Sequence, residues 1–78
     1  MINNDIIYNL NEFILNETNK SKTNTVIFNE WSLQNNIKIT DFKEVLWFVD
    51  HIKTIRKMDR EIIKEAQFFD SKINNSIF

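Results

Sequence analysis

The chain has 78 residues, a formal net charge of −1, one histidine, and no cysteine, glycine or proline. These counts exclude disulfides, cysteine-ligated zinc sites and the glycine-rich loops that bring a backbone close to phosphate groups. They also leave no overall positive charge that would attract nucleic acid or an anionic membrane surface.

No recognisable catalytic arrangement remains. His51 alone cannot form a zinc site, and the pair Glu61 and Glu65, with Lys57 and Lys64 nearby, is typical of a solvated helix face. We therefore predict that the protein is not an enzyme and has no catalytic, metal, cofactor or small-molecule site. No apolar run of about 18 residues and no signal-peptide pattern occurs, so we expect no membrane contact and a cytoplasmic location.

The lack of glycine and proline favours helices, because tight hairpins and barrel corners usually require these residues. Asparagine, which also tolerates the left-handed conformation that ends many helices, occurs twelve times. We predict one all-α domain over residues 1–78, a small bundle of three to four helices. The bias toward Asn, Ile, Lys and Phe indicates an AT-rich genome, such as that of a low-GC bacterium, a virus or phage, or a protist.

The first helix is predicted over residues 4–16, with Asn3 as its N-cap. Its apolar residues recur at helical spacing on one face, and the opposite face is polar. The apolar residues are Ile6, Ile7, Leu10, Phe13 and Ile14. Residues 18–25, which contain no apolar side chain, are predicted to form a loop.

The second helix is predicted over residues 26–35, capped by Thr25 or Asn24. Its buried side should carry Ile27, Phe28 and Trp31. Asn36 is expected in the left-handed conformation that closes a Schellman motif, with Ile37 packing back across the cap.

Thr40 is the predicted N-cap of a third helix that begins at Asp41 and contains the run Val45-Leu46-Trp47-Phe48-Val49. Five consecutive apolar residues point in all directions around a helix, so we expect this run to be covered on every side. Because the other helices are few, part of that cover is expected to come from another chain.

Residues 41–73 also fit a heptad pattern, in which eight of nine seam positions are apolar. These positions are Val45, Ile52, Asp59, Ala66 and Ile73 at a, and Phe48, Ile55, Ile62 and Phe69 at d. The segment therefore forms either one long coiled-coil-like helix or two helices, over residues 41–57 and 60–73, with Asp59 capping the second.

Two surfaces are candidates for binding. Aromatic and aliphatic residues of the C-terminal half are candidates for a protein partner or a second copy of the chain: Trp47, Phe48, Ile52, Ile55, Phe68 and Phe69. A basic stripe between residues 51 and 64 is a candidate for nucleic acid, although a normal solvated helix face is the preferred explanation. The stripe contains Lys53, Arg56, Lys57, Arg60 and Lys64.

The preferred hypothesis is a non-enzymatic protein–protein interaction module, either a homodimer or a subunit that docks through its third helix. One form of it is a phage- or mobile-element-encoded inhibitor that blocks a host protein. The alternative is a small DNA-binding regulator, since the second helix, the link and the third helix resemble a helix-turn-helix in outline. Two features count against this alternative. The carboxylates of Asp41 and Glu44 would face DNA phosphates, and the link lacks the small residue that is common in the turn of such motifs.

Overall fold

The computed structural model describes the backbone of residues 2–76 and the side chains of residues 2–68. This part of the chain consists of helices and connecting segments without a strand, so the predicted all-α bundle is confirmed. The four helices are α1 (Asn4–Asn16), α2 (Asn24–Gln34), α3 (Phe42–Lys57) and α4 (Arg60–Ser76).

The starts of α1 and α2 are set by side-chain caps. Asn3 Oδ1 accepts a hydrogen bond from the Ile6 amide at 3.0 Å, which confirms the predicted cap of α1. The predicted caps of α2, Thr25 and Asn24, are wrong, because Thr23 Oγ1 accepts from the Val26 amide at 3.2 Å. The loop before α2 is therefore shorter than expected.

A Schellman motif ends α2, as predicted. Asn36 has a φ of 53°, the Asn36 amide donates to Leu33 O at 3.3 Å, and the Ile37 amide donates to Ser32 O at 2.9 Å. Ile37 packs against the hydrophobic core just beyond the turn. Asparagine replaces the usual glycine here because its side chain tolerates the left-handed region.

The segment predicted as one helix or two is divided at Met58 and Asp59. The Met58 amide bonds to Ile55 O at 3.1 Å at the end of α3, and Asp59 Oδ1 accepts from the Glu61 amide at 2.8 Å at the start of α4. The single long helix is therefore wrong. At the other end of α3 the cap is Asp41 rather than Thr40, because the Asp41 carboxylate accepts from the Lys43 amide at 2.8 Å.

The core lies where α1, α2 and α3 meet. Its aromatic centre is a triangle of Phe28, Trp31 and Phe48, with ring centroids 5.5 to 6.2 Å apart. Such tilted contacts add to the burial of apolar surface. The buried core residues are Leu10, Ile14, Ile27, Phe28, Trp31, Phe48, Ile52, Ile55 and Ile63.

Helix α4 contributes Ile63 to this core. Ile63 is 2% exposed, whereas the predicted seam residue Ile62 is 54% exposed. Ala66, also assigned to the seam, is exposed. The predicted heptad phase is therefore wrong beyond Met58, because the non-helical residues 58–59 interrupt the 3.6-residue period and rotate the following helix. The side chains of Phe69 and Ile73 lie outside the described residues.

Candidate interaction surface

Three of the predicted partner-binding residues lie inside the protein itself. Phe48 and Ile52 have no exposed surface and Ile55 has 7%, so these residues do not offer a contact to another chain. The reason is that α1 and α2 both pack on the side of α3 that carries them. Within the chain itself the apolar run of α3 is not covered on every side, because Leu46 remains 52% exposed. That another chain supplies the rest of the cover stays a prediction.

Trp47 is 42% exposed and is partly held by its neighbours on α3. Its ring stacks on His51 with centroids 5.1 Å apart and planes 7° apart, and it meets Phe48 edge-on at 5.2 Å. Trp47 is therefore an anchored aromatic residue at the border between core and surface. Part of its area stays available to a partner.

His51 belongs to a polar chain that joins three helices. Its Nε2 atom lies 2.8 Å from Asn11 Oδ1, and Asn11 Nδ2 donates to Gln67 Oε1 on α4. An amide oxygen only accepts, so the first bond requires a proton on Nε2. Asn11 is buried, with 4% of its surface exposed, and makes both bonds within the bundle.

Burial lowers the pKa of His51 below its usual value of 6.5, and the neighbouring Asp50 carboxylate partly opposes this effect. His51 is therefore expected to be neutral near neutral pH, with the proton on Nε2. Its described polar contact is an amide and its ring contact is Trp47. Through the contact with Asn11, His51 links α3 to α1.

The basic stripe is not a uniform surface. The Arg56 guanidinium donates to Lys22 O at 2.8 Å and to Asn24 Oδ1 at 2.9 Å, so it fastens the loop before α2 to the end of α3. Arg60 approaches Leu15 O at 3.4 Å, near the C-terminal end of α1, where a positive charge is favourable. Both arginines have a structural explanation, whereas Lys53, Lys57 and Lys64 are exposed.

The two arginines also line a cleft of about 220 Å³ between the end of α1 and the start of α4. Glu17 lies in the same lining. Glu17 accepts hydrogen bonds from the Asn19 amide and from Lys22, and these bonds lower its pKa. Glu17 and Lys22 also form an ion pair of 3.1 Å. Arg56, Arg60 and Glu17 are thus engaged in holding the loop and helix ends together.

A different exposed surface runs along a side of α3 that faces away from the core. Phe42 is 72% exposed and Leu46, one helical turn later, is 52% exposed, and Lys53 and Lys57 continue the same side. At 3.6 residues per turn the four residues fall within an arc of about 60°. We call these four residues the α3 outer stripe.

Phe42 and Leu46 were not among the candidate binding residues, although Leu46 belongs to the apolar run of α3. The heptad pattern indicated the exposure of three stripe residues. Leu46 and Lys53 occupy position b and Lys57 occupies position f, and both positions point away from a seam. Phe42 is harder to place because it follows the helix cap directly. Phe42 is exposed because α1 and α2 pack against a different side of α3.

The two large exposed apolar residues among the described side chains of α4 do not lie on one side of the helix. Phe68 is 70% exposed and Ile62 is 54% exposed, but they are separated by about 120° around the helix axis. A single flat partner surface cannot cover both. Phe69, the other predicted contact on this helix, has a side chain outside the described residues.

Neither a metal cluster nor a membrane-spanning element is found in the part of the chain that the structure describes. No three His, Cys, Asp or Glu side chains there are grouped closely enough to hold a metal ion. No helix among residues 2–76 combines the length and the apolar character that crossing a bilayer requires. Comparisons of the chain with protein families, with curated proteins and with solved structures give no match.

Proposed function

We propose that the protein is a non-enzymatic interaction module that binds another protein through the α3 outer stripe. The observation that carries this proposal is the adjacent pair Phe42 and Leu46, exposed on the outer side of a helix whose inner side belongs to a completed core. Full burial of such side chains contributes about 1.5 to 3 kcal/mol each. A partner that covers the pair therefore gains several kcal/mol before the costs of association.

The enclosed core supports this proposal indirectly. Phe48, Ile52 and Ile55 are already sheltered by α1 and α2, so the fold does not need another chain to cover them. A partner is instead invoked for side chains that the fold leaves outside. Binding and folding are then separable properties of α3, with different residues responsible for each.

In its more specific form, the proposal is a cytoplasmic inhibitor, encoded by a phage or another mobile element, that occupies the surface of a host protein. Small size and an amino-acid composition typical of AT-rich genomes support this form. Such an inhibitor acts by covering a surface, so it requires no catalytic residue, cofactor or metal.

Self-association is a second form of the interaction proposal. Ile62 and Ala66 of α4 are exposed, and they belong to the predicted coiled-coil seam. Two copies of α4 packed along this side would make a coiled-coil-like homodimer. This form places the contact on α4 and leaves the α3 outer stripe free.

A DNA-binding role receives less support from the structure. The link between α2 and α3 spans the seven residues 35–41, whereas a helix-turn-helix is joined by a turn of about three or four. Arg56 and Arg60 are engaged with backbone carbonyls. Lys53, Lys57 and Lys64 would have to supply the phosphate contacts.

The proposal is tested by capture from a lysate of the native host with the immobilised full chain. The wild type is compared with Phe42→Gln/Leu46→Gln and with the matched control Ile62→Gln/Phe68→Gln. Both pairs are exposed, so each variant should fold. We expect proteins that are retained by the wild type and the control and are lost from the α3 variant.

Identical recovery by all three proteins would count against binding through α3. Light scattering over a concentration series measures self-association: a dimer that dissociates only in the Ile62→Gln/Phe68→Gln variant favours the α4 homodimer instead. Binding to duplex DNA that weakens steeply between about 50 and 200 mM salt would favour the regulator.

A further inference from the structure

The α3 outer stripe has two chemically different halves. Phe42 and Leu46 form the apolar half, and Lys53 and Lys57 form the basic half. With a rise of 1.5 Å per residue, each pair spans about 6 Å along the helix, and about 10 Å separates Leu46 from Lys53. The stripe is therefore long enough to contact about four turns of a partner helix.

The two lysines of the basic half have no acidic partner among the described side chains. The ion pairs found there join Lys22 to Glu17 and Glu30, on the loop and α2. Glu44 lies in the first turn of α3, and the exposed Asp50 lies three residues before Lys53 without forming an ion pair with it among the described side chains. The last two turns of the helix thus contain basic side chains and no carboxylate, and Asp50, one turn before Lys53, is the nearest acidic residue on the same helix.

The helix dipole explains part of this pattern, because positive side chains are favourable near a helix C-terminus. That effect does not use the ammonium groups as hydrogen-bond donors, and it leaves them in solvent. It also does not explain why two large apolar residues precede them on the same side of the helix. A partner with a matching order of apolar and acidic groups accounts for both halves.

We propose that the α3 outer stripe docks an amphipathic helical segment of a protein partner, with apolar side chains over Phe42 and Leu46 and carboxylates beside Lys53 and Lys57. This proposal rests on the interaction role proposed above and adds the chemistry of the partner. Anchors spaced by about one helical turn are the usual means by which one helix recognises another. The acidic end fixes the orientation of the bound segment and speeds its encounter with the basic half.

The test uses the full chain, labelled with ¹⁵N, and two designed alanine-based helical peptides of about 20 residues. Both peptides carry a leucine pair spaced like Phe42 and Leu46, and further along the same face a pair of either glutamates or lysines. Each is made with the leucines at either end, so that both orientations are sampled. Amide shifts in α3 and the dissociation constant are measured by NMR titration.

We expect the glutamate peptide to bind about tenfold more tightly than the lysine peptide, with a preference that weakens as salt rises from about 50 to about 500 mM. The variant Lys53→Glu/Lys57→Glu should reverse the preference. Lys64→Glu, an exposed lysine on α4, should leave it unchanged. Equal binding of the two peptides, or shifts confined to α4, would overturn the proposal.

The two proposals fail in different ways. If the glutamate peptide shows no preference but Phe42→Gln/Leu46→Gln still abolishes capture from lysate, the interaction role stands and the acidic partner is refuted. If capture is also unaffected by that double variant, the outer stripe is not a binding surface. Loss of captured proteins in Lys53→Glu/Lys57→Glu, with retention in Lys64→Glu, would support both.

Discussion

The polar chain between α1, α3 and α4 makes a quantitative prediction about stability. Asn11→Ala removes the acceptor of His51 and the donor to Gln67. Each neutral hydrogen bond contributes roughly 0.5 to 1.5 kcal/mol. Because Asn11 is buried while His51 and Gln67 are only half-buried and can regain water, we expect a loss of about 1 to 3 kcal/mol in the free energy of unfolding.

That loss is large for this protein. At about 0.05 to 0.15 kcal/mol per residue, a chain of this length has a stability of roughly 4 to 12 kcal/mol. The melting temperature should fall by about 4 to 8 °C for each kcal/mol. Urea denaturation and thermal melting followed by circular dichroism both measure the effect, and Asn16→Ala, an exposed asparagine on α1, is the matched control.

A double-mutant cycle identifies the contact itself. If Asn11 and Gln67 interact, the effects of Asn11→Ala and Gln67→Ala should be non-additive, with a coupling of roughly 0.5 to 1.5 kcal/mol. Amide exchange should also accelerate near Gln67 in both single variants, since the bond helps to hold α4. Additive effects, or a loss for Asn11→Ala no greater than for Asn16→Ala, would refute this account of how α4 is attached.

Three further predictions concern the core, the pH dependence and the start of α4. Phe48→Ala should destabilise the fold by about 3 to 5 kcal/mol, because Phe48 is fully buried among three aromatic rings; denaturation with urea measures the loss, and a change below about 1 kcal/mol would contradict its central position. Because burial lowers the pKa of His51, the unfolded chain takes up its proton at a higher pH than the folded protein, so stability should decrease as the pH falls from about 6.5 through the lower folded-state pKa. His51→Gln should remove this contribution, and equal pH profiles for the two proteins would show that His51 is not desolvated. Asp59→Ala should cost about 1 kcal/mol by removing the cap of α4 and should increase amide exchange in the first turn of that helix; unchanged exchange would show that the cap does not hold it.

Local sequence signals predicted the ends of several helices because the groups involved are neighbours in the chain. Asn3 bonds to an amide three residues away, and the turn at Asn36 depends on bonds within six consecutive residues. Thr40 and Asp41 both have side chains that can cap α3. The choice between adjacent candidates depends on the path of the preceding link, which is set by packing at a distance.

The polar chain could not be predicted from local patterns. Asn11 meets residues 40 and 56 positions away, and it belongs to a helix with three other asparagines. Asn9, an exposed asparagine of α1, likewise accepts a hydrogen bond from Trp31 Nε1 at 2.8 Å. Which asparagine of α1 is buried is decided by where α3 and α4 pack.

The predicted binding residues illustrate the same limit. A large apolar residue on a helix faces either the chain's own core or a partner, and its identity does not distinguish the two. Phe48 and Phe42 are the same residue type on the same helix, yet one is fully buried and the other is 72% exposed. Only the positions of α1 and α2 separate them.

This separation makes α3 suitable for testing function apart from folding. Substitutions at Phe42 and Leu46 change exposed surface, so their effect on the free energy of unfolding should stay within about 0.5 kcal/mol. Removal of Phe48 should instead reduce stability severely. A variant of the outer pair that loses binding but keeps its melting temperature would therefore locate a binding surface, because partial unfolding could not explain the loss.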